Sequence, residues 1–116
     1  MPPTPRTPPT RRFPRVQTDA LAEVKILGDR RRMKFALIKV LGAGGCMLVC
    51  DDSIGYLSLM ELKIDLDGRE LRADGRVAWE SRRGPGEHHV GIEFLRIGRS
   101  DRSAIEALVA SSGAAA

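Results

Sequence analysis

Two alternating segments joined by Asp67-Gly68 constrain the fold more than any other feature of this sequence. In "MELKIDL", residues 60–66, every second residue is apolar, and the alternation resumes in "ELRADGRVAWES", residues 70–81. A period of two is typical of a strand with one buried face, and an Asp-Gly pair is a strong signal for a two-residue hairpin turn. The side chains predicted to face inward are Met60, Leu62, Ile64, Leu66, Leu71, Ala73, Val77 and Trp79.

Four further segments are predicted to be strands. They are residues 16–27, 33–41, 45–50 and 89–97, and the segment "RRGPGE" at 82–87 is predicted to be an exposed turn. Six short strands followed by a helix favour an all-β fold, a six-stranded antiparallel barrel with one C-terminal helix.

The helix is predicted near residues 101–112. Its apolar residues recur at the spacing of a helix that lies on a sheet: Ala104, Ile105, Leu108 and Val109. Ser103 and Glu106 have the spacing of a capping box, with Ser100 and Asp101 as alternative caps.

The two ends of the chain differ from its middle. Residues 1–10 contain five prolines; proline has no backbone donor and a fixed φ, so this segment is predicted to be an extended, disordered leader. Residues 113–116 are predicted to be a frayed tail. We expect one domain over 11–112, with an arginine arm at 11–15. No apolar run approaches the roughly 18 residues that span a bilayer, and we expect a cytoplasmic protein without membrane insertion.

The positive charge is concentrated at the start of the chain. The net charge is +4, and residues 1–18 hold four of the 19 basic residues and none of the 15 acidic ones. The remainder is therefore neutral overall. A nucleic-acid-binding domain usually spreads its positive charge over a folded face, so an arm of this kind fits a small anionic ligand or a nonspecific tail better.

No catalytic set and no metal site are predicted. His88 and His89 are adjacent, so on a strand they point to opposite faces. Cys46 and Cys50 share a face, lack two further zinc ligands, and are predicted to be buried, reduced thiols. Without a nucleophile–base pair, the chain is not expected to be an enzyme.

The arm "RRFPR", residues 11–15, is the strongest candidate for binding. Pro14 restricts Phe13 to an extended conformation, which holds the arginines on a stiff segment just before the first strand. Guanidinium groups pair with phosphates through two parallel hydrogen bonds and also contact guanine edges. The alternative is a basic tail that only aids solubility. The basic segment "GDRRRMK" at 28–34 is predicted to be a solvated loop, with an anionic partner as its alternative.

In order and spacing these features resemble the PilZ domain family, over roughly residues 11–110. The resemblance rests on an R-x-x-x-R arm at Arg11 and Arg15, a glycine turn "GAGG" at 42–45, and a late strand with "VGIEF" followed by a helix. It implies a PilZ-type barrel that acts as a receptor for cyclic di-GMP, held as a ligand rather than a cofactor. Arg11, Arg12 and Arg15 then fall on the arm that contacts phosphate and guanine.

The second family motif, Asp/Asn-x-Ser-x-x-Gly, is incomplete here. Its glycine falls on Gly45, while Val40 occupies the Asp/Asn position and Gly42 the serine position. Neither side chain can hydrogen-bond a guanine. The nearby "DDSIG" at 51–55 supplies an Asp-x-Ser, but its glycine comes one residue too early, and we predict a plain turn there.

Three functions follow from these observations. The first is a PilZ regulatory module with weak or lost nucleotide binding that acts on a protein partner, of the kind that controls motility, pili or polysaccharide. The second is a fully competent cyclic di-GMP receptor using Arg11 and Arg15. The third, a nucleic-acid-binding barrel, is disfavoured because stacking surfaces are scarce when Trp79 is placed in the core.

Overall fold

The computed structural model describes residues 14–28 and 32–111. The predicted leader over 1–10, the arginines Arg11 and Arg12, and the predicted tail over 113–116 lie outside the described residues. Those parts of the sequence interpretation, and the domain limits that depend on them, stay predictions.

Within these described residues, six strands form a closed antiparallel barrel that is followed by one helix. The elements are β1 (Arg15–Ile26), β2 (Arg32–Gly42), β3 (Gly45–Cys50), β4 (Leu59–Leu66), β5 (Arg69–Gly84), β6 (Glu87–Ile97) and α1 (Arg99–Ser111). Around the barrel the strand order is β1-β2-β3-β6-β5-β4, so β1 pairs with both β2 and β4. The predicted fold class is confirmed.

The interior of the barrel is filled by the alternating apolar residues. Met60, Leu62 and Ile64 are buried, as the alternation predicts, and their counterparts on the other strands complete one continuous core. Cys46 and Cys50 are buried free thiols, which confirms their predicted place. Burial raises the pKa of the Cys46 thiol to about 12, so this thiol stays protonated at neutral pH.

Trp79 is not in the core, and the prediction that placed it there is wrong. Its side chain is 44% exposed. Val77 pairs with Ile92 and Trp79 with Gly91, so Ala78 is an extra residue that breaks the alternation of β5. Because one inserted residue exchanges the two faces of a strand, Trp79 points outward although Val77 points inward.

Helix α1 begins two residues before the predicted start. The N–H of Arg102 donates to the carbonyl of Gly98, which places the first turn ahead of Ser103. Ser103 and Glu106 therefore lie inside the helix, and the predicted capping box is wrong.

The apolar side of α1 packs against the barrel core as predicted. Ile105 is fully buried, and three partly buried side chains accompany it, Ala104, Leu108 and Val109. Asp101, in the first turn, accepts a hydrogen bond from the backbone N–H of Arg72 at 3.0 Å and forms an ion pair with Arg69 at 3.3 Å. These contacts fix the start of the helix on β5.

Candidate functional site

A row of paired residues crosses the barrel wall at the turn between β2 and β3. Arg15 lies opposite Gly42, Gly42 opposite Gly45, and Gly45 opposite Glu93. Residues that face each other across neighbouring strands share one side of the sheet. The structure therefore brings together three of the residues singled out from the sequence: Arg15, Gly42 and Gly45.

A second row lies beside the first and also faces outward. Gln17 is opposite Val40, Val40 opposite Met47, Met47 opposite Gly91, and Gly91 opposite Trp79. This row places Val40, at the position where the family motif has an acid or amide, on the same wall as the exposed indole of Trp79.

The two rows enclose a shallow groove of about 160 Å³. Its lining includes Arg15, Val40, Met47, Trp79 and Glu93. Pockets for small-molecule ligands usually measure about 300–1,000 Å³, so this groove takes only part of a nucleotide.

Gly45 is needed where β3 approaches β6. A Cβ atom on Gly45 would lie 2.2 Å from the carbonyl oxygen of Ile92, a distance that real Cβ contacts do not reach. The backbone of β6 would have to move to admit any side chain. The close pairing of the two strands at the groove thus depends on glycine.

Gly42 makes room for the start of β1. A Cβ atom on Gly42 would lie 2.8 Å from the carbonyl oxygen of Pro14 and 3.1 Å from Cγ of Arg15. A serine at this position therefore requires the backbone at Pro14 to shift. Gly42 therefore accounts both for the missing hydroxyl and for the close approach of Pro14 and Arg15 to this turn.

The indole of Trp79 covers Gly91 on the outer wall. A Cβ atom on Gly91 would lie 2.0 Å from Nε1 of Trp79, so only glycine leaves space for the ring. The sequence interpretation missed this residue. The available signal was Gly91 inside the apolar strand segment "HVGIEF", because a glycine within a strand marks a close approach by another group.

Arg15 supplies the uncompensated positive charge of the groove. The other arginine on this row, Arg76, donates to Oε2 of Glu93 at 2.8 Å, and the two charges offset each other. Arg15 is exposed and forms no ion pair with the described part of the chain. An anion entering the groove would therefore meet one free guanidinium.

The turn at 51–55 is held by the carboxylate of Glu80. Ser53 Oγ donates to Oε1 at 2.6 Å, and the backbone N–H groups of Ile54 and Gly55 donate to Oε2 at 2.8 and 2.7 Å. Burial of Glu80 acts to raise its pKa, but the hydrogen bonds from Ser53, Gly55 and Ile54 outweigh it, so the pKa is lowered. The segment predicted to be a plain turn bends at residues 51–52, and these three donors are already used.

The two histidines show no binding geometry. Nε2 of His89 lies 2.8 Å from Oε2 of Glu87, next to the hairpin turn, while His88 lies opposite Cys50 on β3. Within residues 14–28 and 32–111, no three side chains are grouped in a way that could hold a metal ion. The single helix of this part of the chain is too short and too polar to cross a membrane.

Solved structures share this fold at low sequence identity. The PilZ domain of YcgR from Escherichia coli with cyclic di-GMP superposes with a TM-score of 0.71 at 13% identity, covering 88% of this chain and 90% of that one. The motility inhibitor MotI (DgrA) of Bacillus subtilis gives 0.72 at 21% identity over 90% of this chain. This chain spans only 51% of MotI.

A third similar structure is the complex of MrkH from K. pneumonia with cyclic di-GMP. It gives a TM-score of 0.65 at 17% identity, covering 88% of this chain and 52% of MrkH. Among curated proteins, none matches this sequence significantly.

The family assignment rests on both fold and sequence. The barrel superposes on those structures, and its register sets Arg15 opposite Gly42 of the glycine turn. The PilZ domain model matches residues 9–111, nearly the whole chain, and we conclude that the chain belongs to the PilZ domain family, whose members bind cyclic di-GMP.

Proposed function

We propose that this chain is a non-enzymatic regulatory module of cyclic di-GMP signalling. In this proposal the barrel binds the nucleotide weakly, and a protein partner carries the output. The observation behind it is Val40, an apolar side chain in the groove, on the same wall as Arg15 and Trp79. The family motif has an acid or amide at that position.

The loss of polar contacts determines how much weaker we expect cyclic di-GMP binding to be. Removing a hydrogen-bond partner that a site was built around costs ~1–3 kcal/mol, roughly ten- to a hundredfold in affinity. Two such positions are altered here, Val40 and Gly42. We assign the remaining contacts to Arg11, Arg12 and Arg15, which pair with phosphate and guanine, and to Gly45, which keeps the turn close to β6.

The partner is proposed to be a protein of the machinery that controls motility, pili or polysaccharide. Among the similar structures, MotI is described as an inhibitor of motility and MrkH as a cyclic di-GMP-dependent transcription regulatory factor. We further propose that the protein works in the cytoplasm, with its barrel domain over residues 11–112.

Isothermal titration calorimetry with the full chain tests the nucleotide step. We expect the wild type to bind cyclic di-GMP no tighter than about 100 µM, and Val40→Asp to bind about tenfold more tightly. Val49→Asp is the matched control, since Val49 is a half-buried valine of the neighbouring strand that does not line the groove. No gain in Val40→Asp, or an equal gain in Val49→Asp, would contradict the assignment of Val40.

The second candidate function is a fully competent receptor, and the exposed indole of Trp79 favours it. Stacking of a base on an aromatic side chain contributes ~1–3 kcal/mol, which could offset one lost hydrogen bond. A wild-type dissociation constant of about 1 µM or below would select this alternative.

One of the two arguments against nucleic-acid binding no longer holds. Because Trp79 is exposed, the barrel does offer an aromatic surface on which a base could stack. The charge distribution still opposes this function, since residues 19–116 hold 15 basic and 15 acidic residues. A gel shift at low salt, where phosphate contacts are strongest, would reveal such binding.

A further inference from the structure

The outer face of β1 and β2 carries a cluster of exposed, large apolar side chains. Phe35 is 68% exposed, Met33 51%, Leu21 50% and Leu37 42%. Met33, Phe35 and Leu37 alternate along β2, and Leu21 of β1 lies directly opposite Leu37. We call these four residues the β1–β2 apolar face. None of them lines the nucleotide groove.

The size of this face matches that of the largest apolar patch on a typical monomeric protein, and such patches are often functional. At about 200 Å² for a fully exposed large side chain, the exposed fractions amount to roughly 400 Å² of apolar surface, a size that often marks an interaction site. A lone exposed leucine needs no explanation, but four large apolar side chains on adjacent strands do.

A groove lies directly beside the most exposed member of the face. It has a volume of about 380 Å³, and its lining combines the apolar side chains of Leu21, Phe35 and Ile64 with the charged side chains of Glu23, Lys63, Asp65 and Glu70. The same patch therefore combines a projecting aromatic ring with a recess next to it. In a twofold interface both copies present the same patch, so a projection must meet a recess within that patch.

The charges around the face are also self-complementary. Lys63 lies 3.6 Å from Glu23, and Lys25 lies 3.6 Å from Glu61, so both signs alternate along β1 and β4. Two further carboxylates line the groove. Asp65 is opposite Leu21 and accepts a hydrogen bond from the N–H of Gly68, and Glu70 forms an ion pair with Arg72 at 2.6 Å. A strongly basic or strongly acidic partner gains little from this pattern, whereas a second copy can place each acid near a base.

From these observations we propose that the β1–β2 apolar face is a twofold interface between two copies of this chain. Phe35 of each copy enters the groove beside Leu21 of the other copy. Specific interfaces bury about 800 Å² on each partner, so the interface extends beyond the apolar face to the charged residues of β1 and β4. This inference is independent of nucleotide binding.

Sedimentation velocity of the full chain from about 1 to about 500 µM, a range that covers strong and weak association, tests the proposal. We expect a concentration-dependent dimer, and Phe35→Ser weakens its association by about tenfold or more, as central aromatic residues of interfaces do. Tyr56→Ser is the matched control, because Tyr56 is an equally exposed aromatic residue (70%) outside the face. It should leave association unchanged.

Hydroxyl-radical footprinting supplies a second readout on the wild type. Met33, Phe35 and Leu37 should become less reactive as the dimer forms, while Tyr56 stays equally reactive. A monomer across the whole concentration range overturns the proposal. So does a dimer that Phe35→Ser leaves intact, because its interface would then lie elsewhere.

Discussion

The two turns that flank β3 differ in what they offer to a ligand. The turn at 42–45 contains no polar side chain, yet it lies beside Arg15, whose guanidinium has no ion-pair partner in the described part of the chain. The turn at 51–55 contains Asp51, Asp52 and Ser53, yet its hydroxyl and two of its N–H groups are bound to Glu80. A polar motif is available for recognition only when its donors and acceptors are not already paired within the protein.

The comparison also explains why the two turns tolerate change differently. At 42–45 the backbone is held by the close approach of neighbouring strands, so the critical quantity is the volume at each glycine. At 51–55 three hydrogen-bond donors share the carboxylate of Glu80, so the critical quantity is the charge of Glu80. Substitutions at the two turns should therefore destabilise the protein for different physical reasons.

The largest effect is expected for Gly45→Ala. Its Cβ atom would lie 2.2 Å from the carbonyl oxygen of Ile92, and relief requires β3 and β6 to separate. We expect the free energy of unfolding to fall by about 3 kcal/mol, the upper part of the range for overpacking. Urea denaturation monitored by circular dichroism measures it.

Gly84→Ala is the control for the crowding at Gly45. A Cβ atom there has no neighbour within 4 Å, and Gly84 does not have a positive φ. We expect a change within about 0.5 kcal/mol. Equal stability losses for the two variants would show that the close approach of β6 does not determine the need for Gly45.

The next effect is expected for Glu80→Gln. The amide cannot accept at both positions, so at least one donor of the turn loses its partner, at a cost of about 2 kcal/mol near neutral pH. Because folding lowers the pKa of Glu80 below its ordinary value of 4.5, this contribution is present above the unfolded-state pKa and is lost as the pH falls through the folded-state pKa. The difference between wild type and variant should therefore shrink in acid.

Urea midpoints at neutral pH and at a pH below 4.5 measure that difference. Glu61→Gln is the control, since Glu61 makes only an exposed ion pair with Lys25 at 3.6 Å, which contributes little. Cyclic di-GMP binding by Glu80→Gln should match the wild type. A stability difference that stays constant with pH, or a change in nucleotide affinity, would contradict the separation of the two turns.

The smallest effect is expected for Trp79→Ala, and it is measured in binding. We expect cyclic di-GMP affinity to fall about tenfold, the value of one stacked base, most readily seen in a Val40→Asp background. Tyr56→Ala removes an equally exposed aromatic side chain next to the turn at 51–55 and should leave the affinity unchanged. If the Trp79→Ala variant, the Tyr56→Ala variant and the protein without either substitution bind cyclic di-GMP with equal affinity, the indole is not part of the site.

The chain offers a direct signal for this measurement. Trp79 is its only tryptophan, and it lies in the groove beside Arg15. Fluorescence that changes with added nucleotide in Val40→Asp would therefore report on this groove alone.

The sequence predicted the barrel well because its signals are local. The alternation in residues 60–66 and the Asp67-Gly68 turn act over a few residues, and each predicted strand is present with ends shifted by a few positions at most. Trp79 was misplaced because its orientation depends on the extra residue Ala78. A bulge of this kind is set by the pairing of β5 with β6, which alternation within one strand does not reveal.

The site was only partly accessible from the sequence for the same reason. The family pattern placed Arg15 in its first motif and Val40, Gly42 and Gly45 in its second, and the register brings them onto two adjacent rows. The family pattern gave no indication that Gly42 leaves room for the carbonyl oxygen of Pro14. That contact joins residues 28 positions apart in the sequence, and only the fold brings them together.

Closure of the barrel also limits which parts of the protein a partner can bind. Each of the six described strands has a hydrogen-bonded neighbour on both sides, so along these paired stretches a partner cannot add a strand of its own, as happens in many peptide complexes. Recognition of the paired wall must then use side chains that project from it. A single outward-facing substitution can therefore alter partner choice while the backbone framework stays the same.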